Sequence, residues 1–180
     1  GKAVKDETER IALETGRRID EAWLGSFRER RNQRLERELQ AVRGVVDAVA
    51  RVHEGHAGRI ACASGADRFK VELQLAKCGL MPYFKGNIFS GHEMPRSKPF
   101  PDVYLAAAAH LGADAARCAV IEDTVTGATA GVAAGATVFG YSPDANGHSG
   151  AEALRGVGVA HVFTDMGALP GLLAGWRQTA

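Results

Sequence analysis

The 180-residue sequence predicts a doubly wound parallel α/β sheet preceded by a small helical element, and three observations carry that prediction. Charge is uneven: the first 40 residues hold 10 Lys/Arg and 9 Asp/Glu, against 12 and 12 in the other 140. Beyond residue 41 short apolar runs alternate with helical stretches, the pattern of strand-helix-strand units. The spacing of those runs suits right-handed crossovers between parallel strands.

In chain order, residues 1–40 read as amphipathic helices, because Trp23, Leu24, Phe27, Leu35 and Leu39 recur among Arg and Glu at helical spacings. The Arg-dense stretch Arg28 to Arg37 carries Glu29, Glu36 and Glu38 at distances that allow local pairing. It reads either as a solvated face or as a phosphate- or partner-binding one. A helix over Val42 to Val52 leads into the first of five candidate strands, Arg59 to Ala63. The others are Asn87 to Ser90, Cys118 to Ile121, Thr137 to Tyr141 and Ala160 to Thr164. Helices are predicted over Asp67 to Lys77, Pro101 to Leu111, Val125 to Ala134 and Met166 to Leu173. Ser142 to Gly150, rich in Pro, Asn and Gly, is expected to be an exposed loop.

Composition excludes several classes. With 46% hydrophobic and 24% charged residues the chain is neither disordered nor a continuous coiled coil. A formal net charge of +1 gives no electrostatic case for nucleic acid or an acidic membrane as partner. No run approaches the roughly 18 apolar residues of a membrane span, and no signal-peptide h-region stands at the start. Cys62, Cys78 and Cys118 are too scattered for a disulfide framework or a metal site, which favours a reducing, cytoplasmic setting. The six histidines show no metal-ligand spacing. His92, after a strand end and near Lys98 in sequence, is the one that could line a site entrance.

In doubly wound sheets ligands bind beyond the carboxyl ends of strands, and three such ends carry chemistry. Ser64-Gly65-Ala66-Asp67 offers a hydroxyl, a flexible glycine and a helix start, which would suit a phosphate; an ordinary cap or turn is the alternative. Arg96-Ser97-Lys98-Pro99-Phe100-Pro101-Asp102 holds a lysine between stiffening prolines. Lys98 could neutralise an anionic nucleophile and a phosphoryl group, or simply lie on the surface. Glu122-Asp123 puts two carboxylates at the end of an apolar strand, as Mg²⁺ would need, or as a helix cap would.

Hydroxyl, lysine and acid pair, in that order and each at a strand end, resemble the haloacid dehalogenase-like (HAD) superfamily, in its phosphatase and β-phosphoglucomutase-like branch. Lys98-Pro-Phe-Pro-Asp102 and Ile121-Glu-Asp-Thr-Val-Thr-Gly127 carry most of the likeness, with Phe89-Ser-Gly-His92 and Ala133 to Tyr141 adding to it. The resemblance implies a Rossmann-like core over 41–180 and the later part of a helical cap over 1–40. It implies that Ser64 and Gly65 bind the transferring phosphoryl group, that Ser64 and Lys98 serve catalysis, and that Asp123 and Glu122 hold Mg²⁺.

The family's first motif, a strand ending in Asp-x-Asp that supplies nucleophile and general acid, is not found in the sequence. Asp144 and Asp165 are single acids and do not replace it. Gly1-Lys-Ala-Val4 resembles the middle of the cap, so a segment of about 40 to 60 residues, with the central strand of the sheet, is expected outside this chain. The expectation is a Mg²⁺-dependent phosphatase acting on a small phosphorylated metabolite through an aspartyl-phosphate, monomeric or weakly dimeric, with the 180 residues alone inactive. A sugar phosphomutase, or a non-catalytic relative that binds a phosphorylated ligand or a partner, are the alternatives.

Overall fold

In the computed structural model, residues 20–143 and 148–179 are described. Helix α1 (Glu21–Glu38) starts where the Asp20 carboxylate accepts the Trp23 N–H at 2.8 Å and ends where Leu39 turns extended. The Arg31 guanidinium meets the Asp67 carboxylate at 3.2 Å, tying α1 to the helix that Asp67 caps. Trp23 and Phe27 stack on each other at 5.4 Å and stay exposed, so the apolar stripe of α1 reaches a core only in part.

The elements that follow are α2 (Val45–Gly55), β1 (Cys62–Ser64), α3 (Arg68–Lys77), α4 (Met81–Phe84), β2 (Ile88–Ser90), α5 (Asp102–His110), β3 (Ala119–Glu122), α6 (Val125–Ala133), β4 (Thr137–Tyr141), α7 (Ala151–Gly156), β5 (His161–Phe163) and α8 (Leu169–Thr179). All strand pairs are parallel, as the alternation of strands and helices predicts. The five predicted strands all form, but in two sheets: β1 with β2, and β3-β4-β5 in that order. The seam lies between β1 and β3, and among the described residues no strand fills it. It falls where the resemblance puts the absent central strand.

The reach of β2 explains where β1 begins. The first strand is predicted over Arg59 to Ala63, yet its ladder begins at Cys62, whose N–H bonds Asn87 O at 2.9 Å. Upstream, Ile60 O is instead held by the Asn87 side chain at 3.0 Å, since β2 reaches no further. Helices α4 and α7 went unpredicted because four and six residues are too few for a 3.6-residue period to show. At the other end Met166–Ala168 is a 3₁₀ turn rather than the start of α8, with Gly167 N–H donating to the Asp165 carboxylate at 3.0 Å. Asp165 is thus a capping residue.

Strand β4 divides the core. Successive residues of a strand face opposite ways. Val138 joins Val103, Tyr104, Val120, Ala128 and Leu154 beneath α5, α6 and α7, whereas Phe139 joins Ala48, Phe163, Leu169 and Leu173 beneath α2 and α8. Both Val138 and Phe139 are 1% exposed, so β4, in the middle of the three-stranded sheet, is covered on both faces, while Ile121 of β3 stays exposed. A smaller cluster of Val71, Leu75 and Ile88 packs α3 onto β2. No helix among the described residues is long and apolar enough to cross a membrane.

Candidate functional site

Lys98 closes the carboxyl end of the seam. Its ammonium donates to Ala63 O of β1 at 3.2 Å, to the Tyr104 hydroxyl at 2.8 Å, and to Glu122 Oε1 at the end of β3. The pair is enclosed, with the Lys98 and Glu122 side chains 12% and 9% exposed. Tyr104 Oη in turn donates to Glu122 Oε1 at 2.5 Å. The chain reaches this arrangement through Asp102, whose carboxylate takes two bonds from the Arg96 guanidinium (3.3 and 2.9 Å) and closes the loop around Lys98.

The second oxygen of Glu122 is also engaged. Glu122 Oε2 accepts Asp123 N–H at 3.1 Å, Thr124 N–H at 3.4 Å and the Thr124 hydroxyl at 3.2 Å, while Thr124 Oγ1 caps α6 by accepting Gly127 N–H at 3.1 Å. The carboxylate therefore lies under the first turn of α6, where a Cβ on Gly127 would stand 2.1 Å from Glu122 Cδ. Gly127 belongs to the predicted motif for this reason: only a residue without a side chain leaves room for the acid.

Burial works to raise the Glu122 pKa, but the Lys98 charge and the hydrogen bonds from Lys98, Tyr104 and the Asp123 N–H outweigh it and hold the carboxyl below its ordinary value. Burial first, and the Glu122 charge second, push the Tyr104 phenol well above its usual range, so its proton stays in place. A carboxyl with a lowered folded pKa binds fewer protons folded than unfolded. Its stabilisation is complete above the ordinary glutamate pKa of about 4 and is lost as pH falls through the lowered value. In urea titrations, wild type should exceed Glu122→Gln at pH 7, and the gap should narrow with acidification through that range. A gap that held constant would mean that the Glu122 carboxyl has the same pKa folded and unfolded, and one that shifted in wild type's favour on acidification would mean that it is neutral in the fold.

Asp123 differs from its neighbour. Its Oδ2 lies 3.0 Å from His148 Nδ1, and among the described residues no donor reaches Oδ1. Asp123 O accepts Ser149 N–H at 2.9 Å, and Val125 N–H donates to Ser149 Oγ at 3.0 Å. The loop predicted to be exposed over Ser142 to Gly150 is thus pinned to the site at its ends, with Ser142 itself buried and its hydroxyl donating to Ser149 O at 2.8 Å. Residues 144–147, with Asp144, lie outside the described residues.

Ser64 ends β1, one residue after the carbonyl that holds Lys98, and its Oγ accepts Ala66 N–H at 3.2 Å. The loop it opens is braced by Ser90, wholly buried, whose hydroxyl donates to Ala66 O at 2.6 Å. Gly91 lets the loop after β2 approach: a Cβ there would stand 3.3 Å from both Gly65 Cα and Ser64 O. His92 N–H donates to Ser90 Oγ at 3.2 Å, which places this half-buried residue beside the same loop. Burial, with Arg28 and Arg31 acting against Asp67, lowers its pKa.

The structure therefore brings Ser64, Lys98, Glu122 and Asp123 to one end of the seam. Sequence reasoning missed Tyr104, His148 and Ser149. Tyr104 left a signal, a polar-headed aromatic in the Ala-rich helix that follows the lysine motif. The other two had none, since only the fold returns their loop to β3. A set of three or more His, Cys, Asp or Glu side chains able to hold a metal by themselves is not found among the described residues. Asp123, with an open oxygen, still suits Mg²⁺, a cation that keeps several waters and takes one or two carboxylates from the protein together with substrate phosphate.

Comparison with known proteins bears on the whole site. A family model described as haloacid dehalogenase-like hydrolase matches residues 2–135. The 6-phosphogluconate phosphatase of Escherichia coli is 27% identical over 107 residues, 59% of this chain and 47% of that enzyme. The chain thus spans about half the length, or less, of the curated relatives it matches. Among solved structures, an HAD family hydrolase from Deinococcus radiodurans with bound phosphate and sodium is 31% identical with a TM-score of 0.74, covering 93% of this chain and 73% of that one. A haloacid dehalogenase-like protein from Agrobacterium tumefaciens is 28% identical with the same TM-score, covering 96% and 78%.

Proposed function

The chain belongs to the haloacid dehalogenase-like hydrolase family, and from that premise we propose that its site serves a Mg²⁺-dependent phosphatase acting on a small phosphorylated metabolite. The observation that carries the reading is the convergence of one buried lysine, an open carboxylate and a hydroxyl-bearing loop at the end of an unfilled seam. Ser64 and the Gly65 amide bind the phosphoryl oxygens, and Lys98 offsets the negative charge that builds on them. Asp123 holds Mg²⁺ directly. Glu122, its oxygens already taken, acts on Mg²⁺ through Asp123 and keeps Lys98 in place. The metal, when bound, supplies charge neutralisation at the phosphoryl group.

With Glu122 held by its donors and Asp123 assigned to Mg²⁺, neither acid is left to attack phosphorus, which supports a nucleophile carried by a strand that completes the sheet between β1 and β3. There a carboxylate oxygen would attack phosphorus, the substrate oxygen would leave with a proton from a neighbouring acid, and water would later release phosphate from the acyl-phosphate. Residues 1–40 would then supply part of a cap, and the protein would work in the cytoplasm as a monomer or weak dimer.

The test is a phosphate-release assay with p-nitrophenyl phosphate, followed by sugar phosphates, phosphoglycolate and nucleotides. The 180 residues alone should be inactive with Mg²⁺, and a version including the strand-bearing segment should turn over. Asp123→Asn in the latter should weaken Mg²⁺ by about 10-fold or more and lower turnover in step. Robust hydrolysis by the 180 residues, or wild-type Mg²⁺ affinity in Asp123→Asn, would overturn these assignments.

A further inference from the structure

A lysine ammonium has three N–H donors and no acceptor. In Lys98 all three are spoken for, by Ala63 O, Tyr104 Oη and Glu122 Oε1. An incoming phosphoryl oxygen can therefore be served only if one of the three lets go, and the three differ in what release would cost. Ala63 O is a main-chain carbonyl in the middle of β1, a strand with a described neighbour on one side only, and is left without this donor if Lys98 turns away. Glu122 is the counter-charge of a nearly enclosed pair, and parting two such charges is costly.

Tyr104 loses least. Its hydroxyl keeps its own donor bond to Glu122, and its ring, 4.6 Å from the Lys98 nitrogen, keeps a cation–π contact that does not depend on the hydroxyl. We propose that Tyr104 is a positioning residue whose hydroxyl holds the third N–H of Lys98 in the resting site and yields it to an arriving phosphoryl oxygen. The phenol acts as a placeholder: it orients the ammonium when the site is empty and withdraws without leaving either partner unpaired. The yielding step rests on the phosphatase reading; the holding step does not.

The experiment uses this chain and inorganic phosphate. In ¹⁵N-lysine spectra the Lys98 ammonium should give a signal protected from hydrogen exchange with water. Tyr104→Phe should speed that exchange by about 10-fold or more, because one N–H opens to solvent while ring and charge pair remain. Equal exchange in the two proteins would overturn the holding role. Should the variant fail to fold, wild type labelled with [ζ-¹³C]tyrosine decides: phosphate should shift the Tyr104 resonance together with the Lys98 signal and leave Tyr83 unmoved. A Lys98 signal that shifts alone would refute the yielding step. Phosphate that perturbs neither signal would refute the yielding step and the phosphate-site reading together, and a wild-type Lys98 signal that exchanges as fast as those of the exposed lysines would refute the holding role without the variant.

Discussion

Lys98→Ala is expected to lower the unfolding free energy by about 3–5 kcal/mol and, in a protein that turns over phosphate esters, to lower turnover by about 10² or more. The two losses have one origin. The ammonium bonds the last turns of both sheets, Ala63 O on one side of the seam and Glu122 on the other, so its removal leaves an enclosed carboxylate without its counter-charge. Tyr104 and the Asp123 and Thr124 amides still donate to that carboxylate, which sets the upper limit on the damage. Urea unfolding at pH 7 measures the first effect and initial rates the second. A stability change under about 1 kcal/mol would show that the pair contributes no more than a surface one.

Gly127→Ala should cost about 3 kcal/mol or more through a single methyl. The added Cβ would lie 2.1 Å from Glu122 Cδ and Oε1 and 2.2 Å from Oε2, contacts that no side chain tolerates. Ordinarily a glutamate would swing aside. This one is held by Lys98, Tyr104, Thr124 and two backbone amides, so the methyl must break that set or push α6 off the sheet. A double-mutant cycle separates the clash from helix propensity: with Glu122→Ala in place the Gly127→Ala penalty should shrink to below about 1 kcal/mol. An undiminished penalty would trace the cost to the helix itself.

Strand positions could be read from the sequence because each is a short apolar run ahead of a cap or glycine; Thr137–Tyr141 agrees at both ends. The split sheet was foreseen only through the missing motif, since nothing in the periodicity of Arg59 to Ala63 says which neighbour it lacks. Ser64 and Asp123 were legible as strand-end residues; Lys98, expected at a strand end, lies eight residues past β2 in the loop before α5, and was legible only as a lysine between prolines. The different surroundings of Glu122 and Asp123 were not, because adjacent carboxylates look alike in sequence while Glu122, the last residue of β3, lies beneath α6 and Asp123, just past the strand, stays open. Tyr104 and His148 reach the site from other parts of the chain, a distance that local patterns do not encode.

The order in which the chain is made adds a constraint of its own. Helix α2, residues 45–55, buries Ala48 against Leu169 and Leu173 of α8, residues 169–179. On a ribosome adding about 5–20 residues per second, α8 (from residue 169) follows α2 (to residue 55) by 114 residues, so the α2 face that meets it stays bare while β1 to β5 are made. Phe139, 1% exposed once folding is complete, waits a shorter time, the 30 residues that separate it from Leu169. Contacts of such long sequence separation also slow refolding. Stalling translation ahead of α8 should therefore leave α2 as cleavable by protease as an unfolded chain, although every strand has already been made.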